Sequence, residues 1–189
     1  SVDRTLKLWD ATTGKNIGTT MLNIDPSYMC KISPNCLVIA SVKKDRVLIW
    51  NRLKGRINVE LKGHNDEIKS CYFSPDCQYI VTASADGTLK IWDTVKGVEK
   101  FTLQGHDGPV NACAYSTDGK SILSASKDNT LKIWNTADGA EKVTLRGHCD
   151  AILSCAYSQD GKYNPSASAY KTIKKSDSEK VKIYGTLRA

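Results

Sequence analysis

The chain has 189 residues, 40% of them hydrophobic and 25% charged, with a formal net charge of +7, enough for one substantial core. No apolar run reaches the roughly 18 residues that a membrane-spanning helix needs, and no signal-like segment is read at Ser1. Residues 162–189 carry seven Lys or Arg against two acids, so the main body is close to neutral and offers no broad basic surface for nucleic acid.

In chain order, Ser1-Val2-Asp3-Arg4-Thr5 aligns with Ser84-Ala85-Asp86-Gly87-Thr88 in the interior of a later unit. The chain is therefore read as opening mid-unit, with a half-unit over 1–22 holding two strands, and as a fragment or truncated product. Trp9, Trp50, Trp92 and Trp134 follow at intervals of 41, 42 and 42 residues. A fixed period of this length means one supersecondary unit copied several times. Each copy buries its apolar face only by stacking on its neighbours.

The first full unit lies near 28–61. It keeps Cys30, Ser33-Pro34-Asn35, Ser41 and Trp50 in register, but Met21–Pro26 replaces the Gly-His of other copies. Ser41 to Trp50 is nine residues where Ser84 to Trp92 is eight, which reads as one residue inserted at the hairpin around Val42-Lys43-Lys44-Asp45. This unit is expected to be looser by about 1–2 kcal/mol, the scale of a lost buried hydrogen bond.

The unit at 68–103 sets the pattern. Ile68–Phe73 reads as a strand, Ser74-Pro75-Asp76 as a turn, and Tyr79–Ser84 as a second strand. Asp86-Gly87 marks a tight hairpin, followed by strands over Thr88–Trp92 and Val98–Leu103. The unit at 110–145 repeats it.

The last unit, 152–187, is damaged. Tyr170, Lys175 and Ser176 replace the hairpin Asp, a core Ile and the Trp, and Asn164-Pro165 is expected to interrupt its second strand. Glu179–Tyr184 reads as another short strand, and the unit as a frayed end.

Gly63-His64, Gly105-His106 and Gly147-His148 recur every 42 residues, as do Ser74, Ser116 and Ser158, and two of the units close on Trp92-Asp93 and Trp134-Asn135. This pattern resembles the WD-repeat family of β-propellers over nearly the whole chain. The resemblance implies an all-β fold of four-stranded blades, about four and a half of them present, as a fragment or incomplete ring. An open arc leaves apolar faces and sheet edges to cover, so closure is expected to need a missing segment or a second chain.

His64, Ser84 and Asp86 are the residue types of a hydrolase triad, and they recur as His106, Ser126 and Asp128. A chain does not normally carry tandem copies of one triad. In the family, these residues with Trp92 or Trp134 resemble a buried hydrogen-bond tetrad, so no enzymatic activity, cofactor or metal is expected. Cys30, Cys71, Cys113 and Cys155 occupy one equivalent position, and Cys36 and Cys77 another. Such positions are not a metal knuckle. They read as buried, reduced thiols in a reducing, intracellular compartment. A cytoplasmic rather than nuclear location is expected.

The resemblance also implies function. Propellers of this family are rigid platforms for partner proteins. Their binding surface is a top face built around the start of each innermost strand and the residue before the hairpin Asp. Carried over, those positions are Glu67, Lys69 and Ala85; Pro109, Asn111 and Lys127; Ala151, Leu153 and Ala169; and, in the degenerate unit, Ser27, Met29 and Lys44. The expected role is a protein-interaction scaffold without a small-molecule substrate. The alternatives are a regulatory region of a nucleotide-binding switch protein and a ubiquitin-ligase substrate receptor. The latter lacks its family cue, an Arg two residues beyond Trp-Asp.

Overall fold

A computed structural model describes residues 5–21, 29–54, 56–169, 172–177 and 183–188. Ser27, most of Met21–Pro26, Tyr170 and the start of the Glu179–Tyr184 segment lie outside the described residues, as do the side chains of Lys175 and Ser176. Strands are the only regular elements among the described residues, so no helix is present to cross a membrane.

The first two strands, β1 (Thr5–Trp9) and β2 (Asn16–Met21), form a two-stranded antiparallel sheet. Four four-stranded antiparallel sheets follow, each in chain order. The first holds β3 (Met29–Ile32), β4 (Val38–Lys43), β5 (Arg46–Asn51) and β6 (Arg56–Lys62). The second holds β7 (Ile68–Phe73), β8 (Tyr79–Ser84), β9 (Leu89–Asp93) and β10 (Glu99–Leu103). The third holds β11 (Val110–Tyr115), β12 (Ser121–Ser126), β13 (Thr130–Asn135) and β14 (Glu141–Arg146). The last holds β15 (Ile152–Cys155), β16 (Tyr163–Ser168), β17 (Thr172–Asp177) and β18 (Ile183–Arg188).

The first strands of successive sheets, β3, β7, β11 and β15, lie against one another, as the innermost strands of adjacent propeller blades do. The result is an unclosed array of blades.

The core lies between blades. Period-2 alternation sends Ile80 and Val81 to opposite faces of β8. Ile80 joins Ile68, Cys71, Phe73 and Trp92 against Val42, Val47, Ile49 and Leu61 of the preceding blade. Val81 joins Ala83, Leu89 and Ile91 against Val110, Cys113, Ile122 and Trp134 of the next. The third interface is smaller: Leu123, Ala125, Leu131, Ile133 and Leu145 meet Ile152, with Cys155 and Tyr157 at its margin. The two middle blades thus each supply half of two of these cores, and the blades on either side of them half of one, which is why the apolar pattern returns with the 42-residue period.

Burial separates the cysteines. Cys71 and Cys113 are enclosed in these cores, and burial pushes both thiols up to about 12, leaving them inert packing groups. Cys30 and Cys36 are exposed, against the expectation that all the equivalent thiols are buried. Cys71 and Cys113 each pack on a four-stranded neighbour, whereas the sheet before Cys30 has two strands.

Two expectations about the damaged units also fail. The strand β16 runs unbroken through Pro165, whose carbonyl accepts from the Ala156 N–H. Its missing N–H faces the same neighbour, β15, which already ends at Cys155 where β11 continues to Tyr115. The proline therefore shortens the inner ladder and leaves its own strand intact. In the first full blade, Lys43 pairs with Arg46 across the two-residue loop Lys44-Asp45, with Lys44 at φ 50°. That hairpin is one residue shorter than its counterparts, the reverse of the insertion expected, because Ser41 aligns with Thr82 and not with Ser84.

Cys36 and Cys77 stand at φ 58° and 62°, in the left-handed region, where the later units place Gly119 and Gly161. A Cβ there costs about 1–2 kcal/mol, part of which glycine returns through greater freedom in the unfolded chain. Cys77→Gly is expected to raise stability by about 0.5–1 kcal/mol, read as a higher urea midpoint at constant slope. A lower midpoint would contradict it.

Candidate functional site

The residues with the most chemistry are the repeated His, Asp, Trp and hydroxyl groups. In the blade β7–β10, the Trp92 indole N–H donates to Thr82 Oγ1 at 2.9 Å, and the Thr82 hydroxyl meets His64 Nε2 at 2.7 Å. His64 Nδ1 meets Asp86 Oδ2 at 2.9 Å, and Asp86 also accepts from the backbone of Asn65 and from both the backbone and the hydroxyl of Thr88. In the next blade Trp134 donates to Ser124 Oγ at 2.8 Å, Ser124 meets His106 Nε2 at 2.7 Å, and His106 Nδ1 meets Asp128 at 2.7 Å. One proton order satisfies each chain: indole N–H to hydroxyl oxygen, hydroxyl to imidazole Nε2, and Nδ1–H to carboxylate.

The structure corrects the hydroxyl of this tetrad. Ser84 and Ser126, the sequence candidates, do not touch the histidines. Ser84 Oγ donates to the Asp66 carbonyl and accepts from the Asp86 N–H, fastening the hairpin. Ser126 does the same with Gly108 and Asp128. The reason is strand geometry. Ile80 is paired with Trp92, so Thr82 is two residues along β8 from the tryptophan and Ser84 is four. At about 3.3 Å per residue, the indole reaches the nearer hydroxyl alone. A hydroxyl ten residues before Trp92 and before Trp134 was the available signal.

Burial is the first influence on the histidines and lowers both His64 and His106 below the usual imidazole range, although each faces an aspartate. Burial also opposes the charge of Asp86, but the hydrogen bonds from Thr88, Asn65 and His64 outweigh it and hold the carboxyl at about 2. The array is thus a neutral imidazole on an ionised carboxylate. Thr82 and Ser124 have no exposed surface, so a nucleophile made from either has no approach for a substrate. The arrangement ties each hairpin to the strand carrying the Trp.

In the two damaged units the tetrad is incomplete. Ser41 Oγ and Trp50 Nε1 are both buried without a hydrogen-bond partner. His148 meets Ser166 and Thr172 at 2.9 and 3.0 Å, with Ser176 standing in the Trp position.

The other candidates sit at the opposite end of the strands from the Ser-x-Asp turns. A backbone bond recurs there: Ala85 N–H to the Glu67 carbonyl at 2.8 Å, Lys127 to Pro109 at 2.9 Å, and Ala169 to Ala151 at 2.9 Å. Each brings the start of an inner strand against the residue before a hairpin. Lys69, Lys127 and Leu153 are exposed, and Glu67, Ala85 and Asn111 are half-buried. Lys69 and Glu67 form an ion pair, and Asn111 Nδ2 donates to the Ile152 carbonyl at 2.9 Å, bridging two blades. Met29 differs from the rest: its half-buried thioether packs on the inter-blade core and lies 3.9 Å from the Cys71 sulfur. Among the described residues, no group of His, Cys, Asp and Glu is arranged to hold a metal.

The model of the family described as WD domain, G-beta repeat matches residues 55–93, 97–135 and 139–184. These matches are offset from the blades by one strand, since each begins near the outer strand of the preceding sheet. Autophagy-related protein 16 of Arabidopsis thaliana is similar to this chain, at 29% identity over 92 residues, 47% of the chain. That match spans 18% of the relative's length. With the inter-blade cores, the repeated tetrads and the three matched repeats in agreement, the chain belongs to the WD-repeat family.

Proposed function

We propose that this chain is a non-catalytic interaction platform that presents its hairpin-side rim to partner proteins within a larger assembly. One observation carries the reading. The repeated bond between inner-strand start and hairpin sets side chains from two elements side by side, blade after blade, on a rigid frame. The surface so made mixes cations (Lys69, Lys127), an acid (Glu67), an amide (Asn111) and an apolar group (Leu153), the composition of an adaptable polar interface. Similarity to one region of a longer relative supports a module that works beside other segments.

The test is affinity purification of the tagged chain and of a Lys69→Ala/Asn111→Ala/Lys127→Ala variant. Loss of the recovered partners is expected, with a melting temperature lowered by no more than a few degrees. Unchanged recovery would sink the assignment of this rim.

A further inference from the structure

Between adjacent blades, on the side of the Ser-x-Asp turns and opposite the rim described above, the same cleft occurs twice at a 42-residue offset. The first lies between β7–β10 and β11–β14. There Lys100 is capped by aromatic rings, with its Nζ 4.4 Å from the Tyr79 centroid and 5.3 Å from that of Phe101. Its volume is about 260 Å³. The second lies between β11–β14 and β15–β18. Ser121 and Val143 replace Tyr79 and Phe101, and the volume is about 560 Å³, within the range of small ligand sites.

Two polar groups of the second cleft bear on what it could hold. Among the described residues, Lys142, the counterpart of Lys100, has no aromatic cap and no carboxylate partner; its Nζ donates to Ser121 Oγ at 3.0 Å. The Tyr157 hydroxyl in the opposite wall is buried without a partner. The wall carboxylates Asp118 and Asp160 are common to every turn of this type. Each already accepts from its own serine and from a backbone N–H, so neither distinguishes this cleft. What is particular to it is an uncapped ammonium beside newly opened apolar surface.

We propose that this second cleft is a binding site for an acidic side chain of a partner protein's extended segment, its carboxylate on Lys142 and its stem against Val143 and the Tyr157 ring. An ammonium removed from its aromatic cover gains a charge-assisted hydrogen bond from such a carboxylate. The proposal concerns a face separate from the rim, so each can fail alone: rim variants leave the cleft intact and the reverse.

The test uses the ¹⁵N-labelled 189-residue chain and three acetylated, amidated tetrapeptides, Ala-Glu-Leu-Ala and its Gln and Lys counterparts. Saturable amide shifts at Ser121, Lys142, Val143 and Tyr157 are expected with the Glu peptide, and weaker or no shifts with the others. Ser121→Tyr/Val143→Phe rebuilds the closed cleft with residues the neighbouring unit already uses. It is expected to weaken binding about tenfold or more at a nearly unchanged melting temperature. Should that variant not fold, Lys142→Met gives the same reading, because Lys142 is exposed. Equal shifts with the Gln or Lys peptide, binding retained in the variants, or the same shifts from inorganic phosphate alone would overturn the proposal.

Discussion

Thr82→Ala is expected to destabilise the chain by about 2–4 kcal/mol, and Ser41→Ala, at the equivalent place one blade earlier, to leave stability unchanged or to raise it. The contrast follows from what each hydroxyl touches. Thr82 Oγ1 receives the Trp92 indole at 2.9 Å and serves His64 Nε2 at 2.7 Å. Its removal orphans a buried N–H and a buried ring nitrogen together, at about 1–3 kcal/mol for each unsatisfied group. Ser41 Oγ is buried and serves nothing, so its deletion removes a desolvated polar atom and loses only its packing.

Thr82→Ser is the rescue. Ser124 performs the same task in the neighbouring blade with a bond of 2.7 Å to His106 and one of 2.8 Å from Trp134. The serine variant is therefore expected to recover most of the loss, leaving only the methyl group's packing. Ser84→Ala loses a turn bond to the Asp66 carbonyl and one from the Asp86 N–H, and is expected to cost about 1–2 kcal/mol. Urea titration of the four variants orders them. If Ser84→Ala cost more than Thr82→Ala, the tetrad hydroxyl would have been misassigned.

The same pair of hydroxyls shows how far the sequence could be read. The period of the tryptophans sets the length of one blade, and a unit with two apolar faces must bury both by stacking. The strands Ile68–Phe73 and Tyr79–Ser84 have the limits their turn residues imply. Which serine or threonine meets the histidine was not legible from residue types alone. Thr82 and Ser84 point to one face of β8, and the choice rests on the register of β8 against β9. The same ambiguity governs the first full blade, where aligning Ser41 with Ser84 in place of Thr82 makes a shortened hairpin look lengthened. Likewise Pro165 looked like a break because the early end of β15 was not visible. The cleft beside Lys142 was missed for another reason: its walls come from two blades, and only a comparison of Tyr79 and Phe101 with Ser121 and Val143 at one offset exposes it.

Stability is expected to fall in two stages as the pH is lowered. His64 and His106 have folded-state values below the ordinary 6.5, because burial disfavours the imidazolium more than Asp86 or Asp128 favours it. The unfolded chain then binds more protons, so their contribution is complete above about 6.5 and is lost as the pH drops toward their folded values. Asp86 follows the carboxylate case, with an ordinary value of 3.8 and a folded value of about 2. Its contribution, about 2 kcal/mol at 1.36 kcal/mol per unit, is present above about 3.8 and disappears between there and about 2. Asp128, also lowered, adds in the same direction. Urea midpoints measured from pH 8 to pH 3 are expected to show a first decline below about 6.5 and a second below about 4. Replacing His64 by Gln keeps a hydrogen-bonding side chain without titration, so it should lower stability throughout yet flatten the first decline. A first decline of unchanged slope in that variant would show that the tetrad histidine does not titrate as its burial requires.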